Sequence, residues 1–187
     1  MISDGIIGIR AMERSDLPLV QAWRNNSYFR QFFREYRELS MDHKIIWFDK
    51  MTNDDKFCMF MIEDISDSQP TTVGVAGLTY IDWVNRHADV HFYIGKEAEW
   101  IDGFYAPKAI KLILNYGFDA LNMNKLWAEV YEIDSKKLKF YQELGFNVDA
   151  SLREHYFFEG RYVTSHILSL LKREYLGEED SSSCCPS

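Results

Sequence analysis

Cysteine is scarce in this chain, basic residues are outnumbered, and long apolar runs are missing; each shortage closes off a class of protein. Cysteine occurs three times in 187 residues, as Cys58 inside an apolar segment and as the neighbours Cys184 and Cys185. That set builds neither a disulfide framework nor a Cys/His zinc spacing, so no metal is expected and the reducing cytoplasm fits best. The formal net charge is -8, from 21 basic and 29 acidic residues. A phosphate backbone repels such a chain as a whole, which argues against nucleic acid as a partner and still permits a local basic pocket. No run approaches the ~20 apolar residues of a bilayer span, and no charged-then-apolar leader is visible, so no membrane association is expected.

What is present describes a packed protein. Hydrophobic residues make up 47% of the chain and aromatics 16%, too many for a mostly disordered one. The length is most simply one domain, expected over 1–176. A polar tail over 177–187, with Glu178, Glu179, Asp180 and a serine run, reads as disordered. Alternating apolar residues predict strands over 6–12, 56–63, 73–81, 88–95, 125–131, 152–158 and 162–171, the last two joined as a hairpin at Glu159, Gly160 and Arg161. Three- and four-residue spacing predicts helices from a cap at Ser15 or Asp16 through Trp23, over 41–51 after Ser40, over 108–116, and over 135–144 up to Gly145.

The stretch 100–146 organises the rest. A loop, Trp100-Ile101-Asp102-Gly103-Phe104-Tyr105-Ala106-Pro107, feeds the helix at 108, and backbone N–H groups at a helix start suit an anion. The strand at 125–131 and the helix ending in Tyr141-Gln142-Glu143-Leu144-Gly145-Phe146 follow. This arrangement resembles the GNAT superfamily of acyl-CoA-dependent N-acetyltransferases, in the branch that acetylates ribosomal-protein N-termini and nucleotide-linked amino sugars. The loop is similar to the family's pyrophosphate segment with Gly103 as its central glycine, Trp100 at the Gln/Arg position and one extra residue before the helix. Asp134 stands where the family has Asn, and Lys137 where it has Ala or Ser.

The resemblance implies an α/β fold: a mixed, mostly antiparallel twisted sheet flanked by helices, with a central V-shaped splay between two strands. It implies acetyl-CoA as acyl donor, bound by the main chain of Phe92, Tyr93 and Ile94, by the loop at Gly103, Phe104, Tyr105 and Ala106, and beside Asp134, Lys137 and Tyr141. Lys137 is read as offsetting Asp134, as reaching a CoA phosphate, or as a solvated surface lysine. Tyr141 matches the family's general acid at the CoA sulfur, and Glu129 matches the glutamate proposed as base, with Asp89, His91 and Glu132 as alternatives. Transfer is direct within a ternary complex.

Arginines with interleaved aromatics suit phosphate and ring recognition. Trp23, Arg24, Tyr28, Phe29 and Arg30, with His91, are therefore the expected acceptor contacts, and Arg34, Arg37 and Phe32 extend that run. The expected acceptor is a small-molecule amine, first a nucleotide-sugar of surface glycan assembly, alternatively a protein N-terminus. The same run also reads as an aromatic core face with an arginine rim salt-bridged to Glu35 and Glu38. A non-catalytic acyl-CoA-binding module is the alternative of another class, and a homodimer is an open expectation.

Overall fold

Alternation and helical spacing position the elements, and where the strands stop pairing positions the site. A computed structural model describes residues 1–177. The tail expectation beyond Gly177, with Cys184 and Cys185, falls outside the described residues.

One eight-stranded sheet has the order β1-β2-β3-β4-β5-β6-β8-β7. Its strands are β1 (Ile2–Ser3), β2 (Ile7–Ala11), β3 (Cys58–Asp64), β4 (Thr71–Asp82), β5 (His87–Ile94), β6 (Lys125–Tyr131), β7 (Asn147–Phe158) and β8 (Arg161–Leu171). All neighbours are antiparallel except β5 and β6. That parallel pair is matched only at His87–Lys125, Ala88–Leu126 and Asp89–Trp127. Both strands continue past this point without pairing to each other, which is the expected V-shaped splay.

The helices are α1 (Leu17–Asn25), α2 (Ser27–Arg30), α3 (Met41–Thr52), α4 (Tyr105–Asn115), α5 (Ser135–Glu143) and α6 (Lys172–Leu176). Helix α4 buries Ala109, Ile110, Ile113 and Leu114. It then runs into a π-helical turn, Tyr116–Ala120, in which Leu121 N–H donates to the Tyr116 carbonyl at 3.0 Å. Asp134 caps α5 by accepting from Lys137 N–H at 3.1 Å. The chain leaves α5 through Gly145, whose φ of 89° a side chain would disfavour. The packed interior joins residues from every strand except β1 and β7, and from α1 to α5.

Three boundaries differ from the expectations, each for a local reason. Helix α4 starts at Tyr105 rather than 108 because Asp102 receives the N–H groups of its first turn. Strand β7 starts at Asn147 rather than 152; it is a largely exposed edge whose residues show no buried face to mark it. Helix α2 is a single turn inside the aromatic run, capped by Asn26, and too short to show a period.

Candidate active site

The gap between the parted strands is bordered by three carbonyls of β5, and each meets a group from elsewhere in the chain. Tyr141 Oη donates to the Val90 carbonyl at 3.2 Å and Lys137 Nζ to the Phe92 carbonyl at 3.2 Å. Ile94 exchanges main-chain bonds with Trp100, N–H to carbonyl at 2.9 Å one way and 3.0 Å the other. Lys137 and Tyr141 lie one helical turn apart on α5, so both reach the same strand. Burial pushes the Tyr141 hydroxyl well above its ordinary range, which keeps it protonated. Burial lowers the Lys137 ammonium to about 8, against the opposing pull of Asp134.

A cavity of about 470 Å³ opens beside this gap. Glu129, on β6, lines it together with Asp89, on β5. Arg34 bridges the two, its Nε 2.8 Å from Glu129 Oε2 and its Nη1 3.0 Å from Asp89 Oδ2. Ser165 on β8 donates to the other Glu129 oxygen at 2.5 Å. Burial pushes the Asp89 carboxyl up, and Arg34 holds it back. His91 is a wall residue whose ring stacks on Phe33; burial, then the charge of Arg24, keeps it neutral. Tyr156 Oη on β7 ties the segment that carries Arg34 by donating to the Gln31 carbonyl at 3.1 Å.

At the other end of the gap lies the start of α4. A second cavity of about 380 Å³ is lined there by Lys96, Asp102, Gly103, Tyr105 and Lys136, among others. The helix-start donors already have an acceptor: Asp102 takes Tyr105 N–H at 2.9 Å and Ala106 N–H at 2.7 Å. Tyr105 Oη bonds Asp64 at 2.7 Å and Lys96 Nζ at 3.1 Å.

The expected site residues separate into those the fold gathers and those it does not. Tyr141, Glu129, Lys137, Arg24, His91 and Tyr93 line the larger cavity. Phe92 turns its carbonyl to the gap. Tyr93 does not, because alternation sends its main chain to β4, opposite Val75; it contributes its ring instead. Ile94 spends its main-chain groups on Trp100. Trp100, matched to the family's Gln/Arg position, is 1% exposed and donates its indole N–H to Asp134 at 2.8 Å. Phe104 is exposed on the surface, under the Lys108 ammonium, and leaves the gap open.

The aromatic and arginine run divides: Arg24, Phe32, Phe33, Arg34 and Arg37 line the cavity, and Tyr28, Phe29 and Arg30 do not. Phe29 is fully buried against Tyr93 and Trp100. Arg30 faces Glu38 at 3.5 Å, Arg37 is paired with Glu35 at 2.6 Å, and Tyr28 stands exposed against Phe32. Trp23 packs its indole on Gly95, where even a Cβ would be 2.1 Å from the ring. Lys44, Asp102 and Ser165 are in the site and were not among the expected contacts. For Asp102 the signal was present: an aspartate just ahead of a helix start is a capping residue.

A sheet whose single parallel pair parts over a tyrosine-bearing helix is the frame of an acyl-CoA-dependent N-acyltransferase. The Acetyltransferase (GNAT) domain family matches residues 7–147. The chain is 30% identical over 173 residues, 92% of it and 89% of the relative, to the spermidine N(1)-acetyltransferase of Escherichia coli K12. The structure of spermidine N-acetyltransferase from Vibrio cholerae in complex with CoA and spermine superposes with a TM-score of 0.84 at 28% identity, over 92% of this chain and 99% of that one. A dodecameric form of the Vibrio cholerae enzyme superposes with a TM-score of 0.78 at 28% identity, over 92% of this chain and 98% of that one. The chain belongs to the GNAT acetyltransferases, and it is an acyl-CoA-dependent N-acetyltransferase. Among the described residues no helix is long and apolar enough to cross a membrane, and no cluster of three His, Cys, Asp or Glu is gathered around a point.

Proposed function

We propose that the chain acetylates a small, diffusible primary amine by direct attack in a ternary complex, with Tyr141 as proton donor and Glu129 as proton acceptor. The observation that carries this reading is that both side chains line one cavity, Tyr141 from the gap and Glu129 from the adjoining strand. Acetyl-CoA, when bound, supplies an activated carbonyl and a sulfur leaving group. The Val90 and Phe92 carbonyls, released by Tyr141 and Lys137, would take the amide groups of its arm. Lys96 and Lys136 at the far cavity would face its diphosphate.

Glu129 takes a proton from the incoming ammonium, directly or through water, once Arg34 yields its place. Tyr141 holds at Oη the proton that the departing sulfur needs. Two features favour a small acceptor over a nucleotide-sugar or a protein terminus. Of the aromatics that would stack a nucleobase, Trp23, Tyr28 and Phe29 do not line the cavity whereas Phe32 does, and Arg34 covers Glu129 where a protein terminus would need an open groove. A second reading, spermidine itself, has the Asp89–Glu129 pair and the two relatives in its favour.

Thiol release from acetyl-CoA in the presence of primary amines tests the reaction. Glu129→Gln should lower kcat/KM by roughly ten to ten-thousand-fold, the range for one general base. An unchanged kcat/KM assigns the base elsewhere, with Asp89 the next carboxylate. Assembly is proposed along the free edge of β7, which exposes Val148, Leu152 and Phe157; a monomer in sedimentation would contradict it.

A further inference from the structure

The acceptor cavity contains a group of hydrogen-bond donors that acetyl transfer does not use. Lys44, from α3, is 4% exposed, and its ammonium lies 3.8 Å from the centroid of the Trp47 ring. Arg24, from α1, places its guanidinium carbon 3.5 Å from the centroid of Phe33. Among the described residues neither side chain makes a hydrogen bond or an ion pair. Tyr93, from β5, is 1% exposed, and its hydroxyl is buried without a hydrogen-bond partner. All three line the cavity.

No carboxylate bonds these cations directly: Glu35, whose charge reaches Arg24, is held by Arg37, and the others have partners of their own. Asp89 and Glu129 are bound by Arg34, and Asp134 by Trp100 and the Lys137 N–H. An aromatic face offsets part of the expense of a recessed cation but accepts few of its N–H bonds. Buried cations without a counter-ion are unfavourable, and two in one cavity make each other more so. Such a set is stable when a ligand brings the missing negative charge. A guanidinium fork, an ammonium and a phenol together supply the donors that a carboxylate or phosphate needs.

We propose that Arg24, Lys44 and Tyr93 form an anion subsite for a carboxylate or phosphate carried by the acceptor, so that this chain selects an anionic amine over a polycation. The inference rests on reading this cavity as the acceptor site. The ammonium groups of spermidine would meet the same two cations, and repulsion would exclude it as effectively as attraction admits the anion.

The test compares amines of one length that differ only at the far end: 6-aminohexanoate, hexylamine and 1,6-diaminohexane, with 2-aminoethyl phosphate against ethylamine as the phosphate arm. Thiol release gives kcat/KM for each. At least one anionic amine should exceed its uncharged counterpart by roughly tenfold or more, the value of one good charge-assisted contact. That ratio should shrink in both Arg24→Gln and Lys44→Met, and inorganic sulfate should compete with the amine in the wild type and lose potency in both variants. The wild-type series needs no variant to fold, and melting curves check those that are made. Equal turnover of charged and uncharged amines without sulfate competition, or a preference for the diamine, overturns the subsite and leaves acetyl transfer standing. Absence of thiol release with every amine overturns the acceptor reading and the subsite with it.

Discussion

The two mouths of the gap treat anion donors in opposite ways. At the start of α4 the backbone N–H groups of Tyr105 and Ala106 are met by the chain's own Asp102. In the acceptor cavity Arg24, Lys44 and Tyr93 are met by no acceptor among the described residues. The first arrangement is closed by a neighbour in sequence, and the second assembles donors from α1, α3 and β5. Donors satisfied from within bind an outside anion only by displacing the internal one, whereas donors with no acceptor in the chain are free to take one from a ligand. The difference predicts a cofactor mouth that binds more weakly than its backbone permits and an acceptor mouth that discriminates by charge.

Tyr141 sits between the two mouths, and its removal has the largest expected effect. Tyr141→Phe should lower kcat by roughly ten to ten-thousand-fold, the range for one general acid. Unchanged kcat on a fixed amine would remove it from that role. Next, Arg34→Ala frees Asp89 and Glu129 from their internal cation and should raise kcat/KM for spermidine on the order of tenfold, narrowing the charge preference. A fall instead would mean that Arg34 positions the carboxylates rather than guarding them.

At the other mouth, Asp102→Ala removes the competing carboxylate. It should tighten CoA binding by roughly two- to fivefold in calorimetry while costing about 1 kcal/mol of stability through the lost cap. Weaker CoA binding would show that Asp102 orders the loop for the diphosphate.

The smallest effect is a pH dependence. Burial, then the charge of Arg24, lowers Lys44 to about 7. Its folded value lies below that of a free lysine, so the unfolded chain binds more protons from about pH 7 to about pH 10, and stability rises with pH across that window. An anion in the subsite favours the protonated form, so sulfate should raise the melting temperature more at about pH 6.5 than at about pH 8.5. The other charged or titratable groups lining the cavity are Arg24, Glu35, Arg37, His43, Lys50, His91 and Tyr93, together with Arg34, Tyr80, Asp89, Glu129, Tyr131, Lys137 and Tyr141. Arg37 holds Glu35 ionised, at about 2, and burial keeps His91 neutral. The sulfate effect should become flat in Lys44→Met; persistence there would contradict Lys44 as the group responsible.

Much of the frame was legible along the chain because it is written in local patterns. The alternation over 125–131 returned the bounds of β6, and the run from Asp134 to Gly145 carried both the cap and the stop of α5. Tyr141 and Glu129 were named by resemblance to the family, Tyr141 within a motif of fixed spacing. The acceptor cavity was harder to read because its members are far apart in sequence. Lys44 was not singled out in α3, where it is buried beside Phe48 and Met51, and no local spacing marks a lysine as turned inward. Arg24 and Arg30 looked alike in one run. A break in helix at Asn26 sends Arg24 to the cavity and Arg30 to Glu38. The register of the pyrophosphate loop was read from its glycine, when the informative residue was the aspartate before it.

One crystallographic measurement addresses both mouths together: the structure with CoA bound, grown in sulfate. The account predicts the CoA sulfur within hydrogen-bond reach of Tyr141 Oη, Lys137 drawn off the Phe92 carbonyl, and a sulfate between Arg24 and Lys44. Lys137 still seated on Phe92 with CoA elsewhere, or sulfate absent from the cavity while bound at other sites, would contradict it.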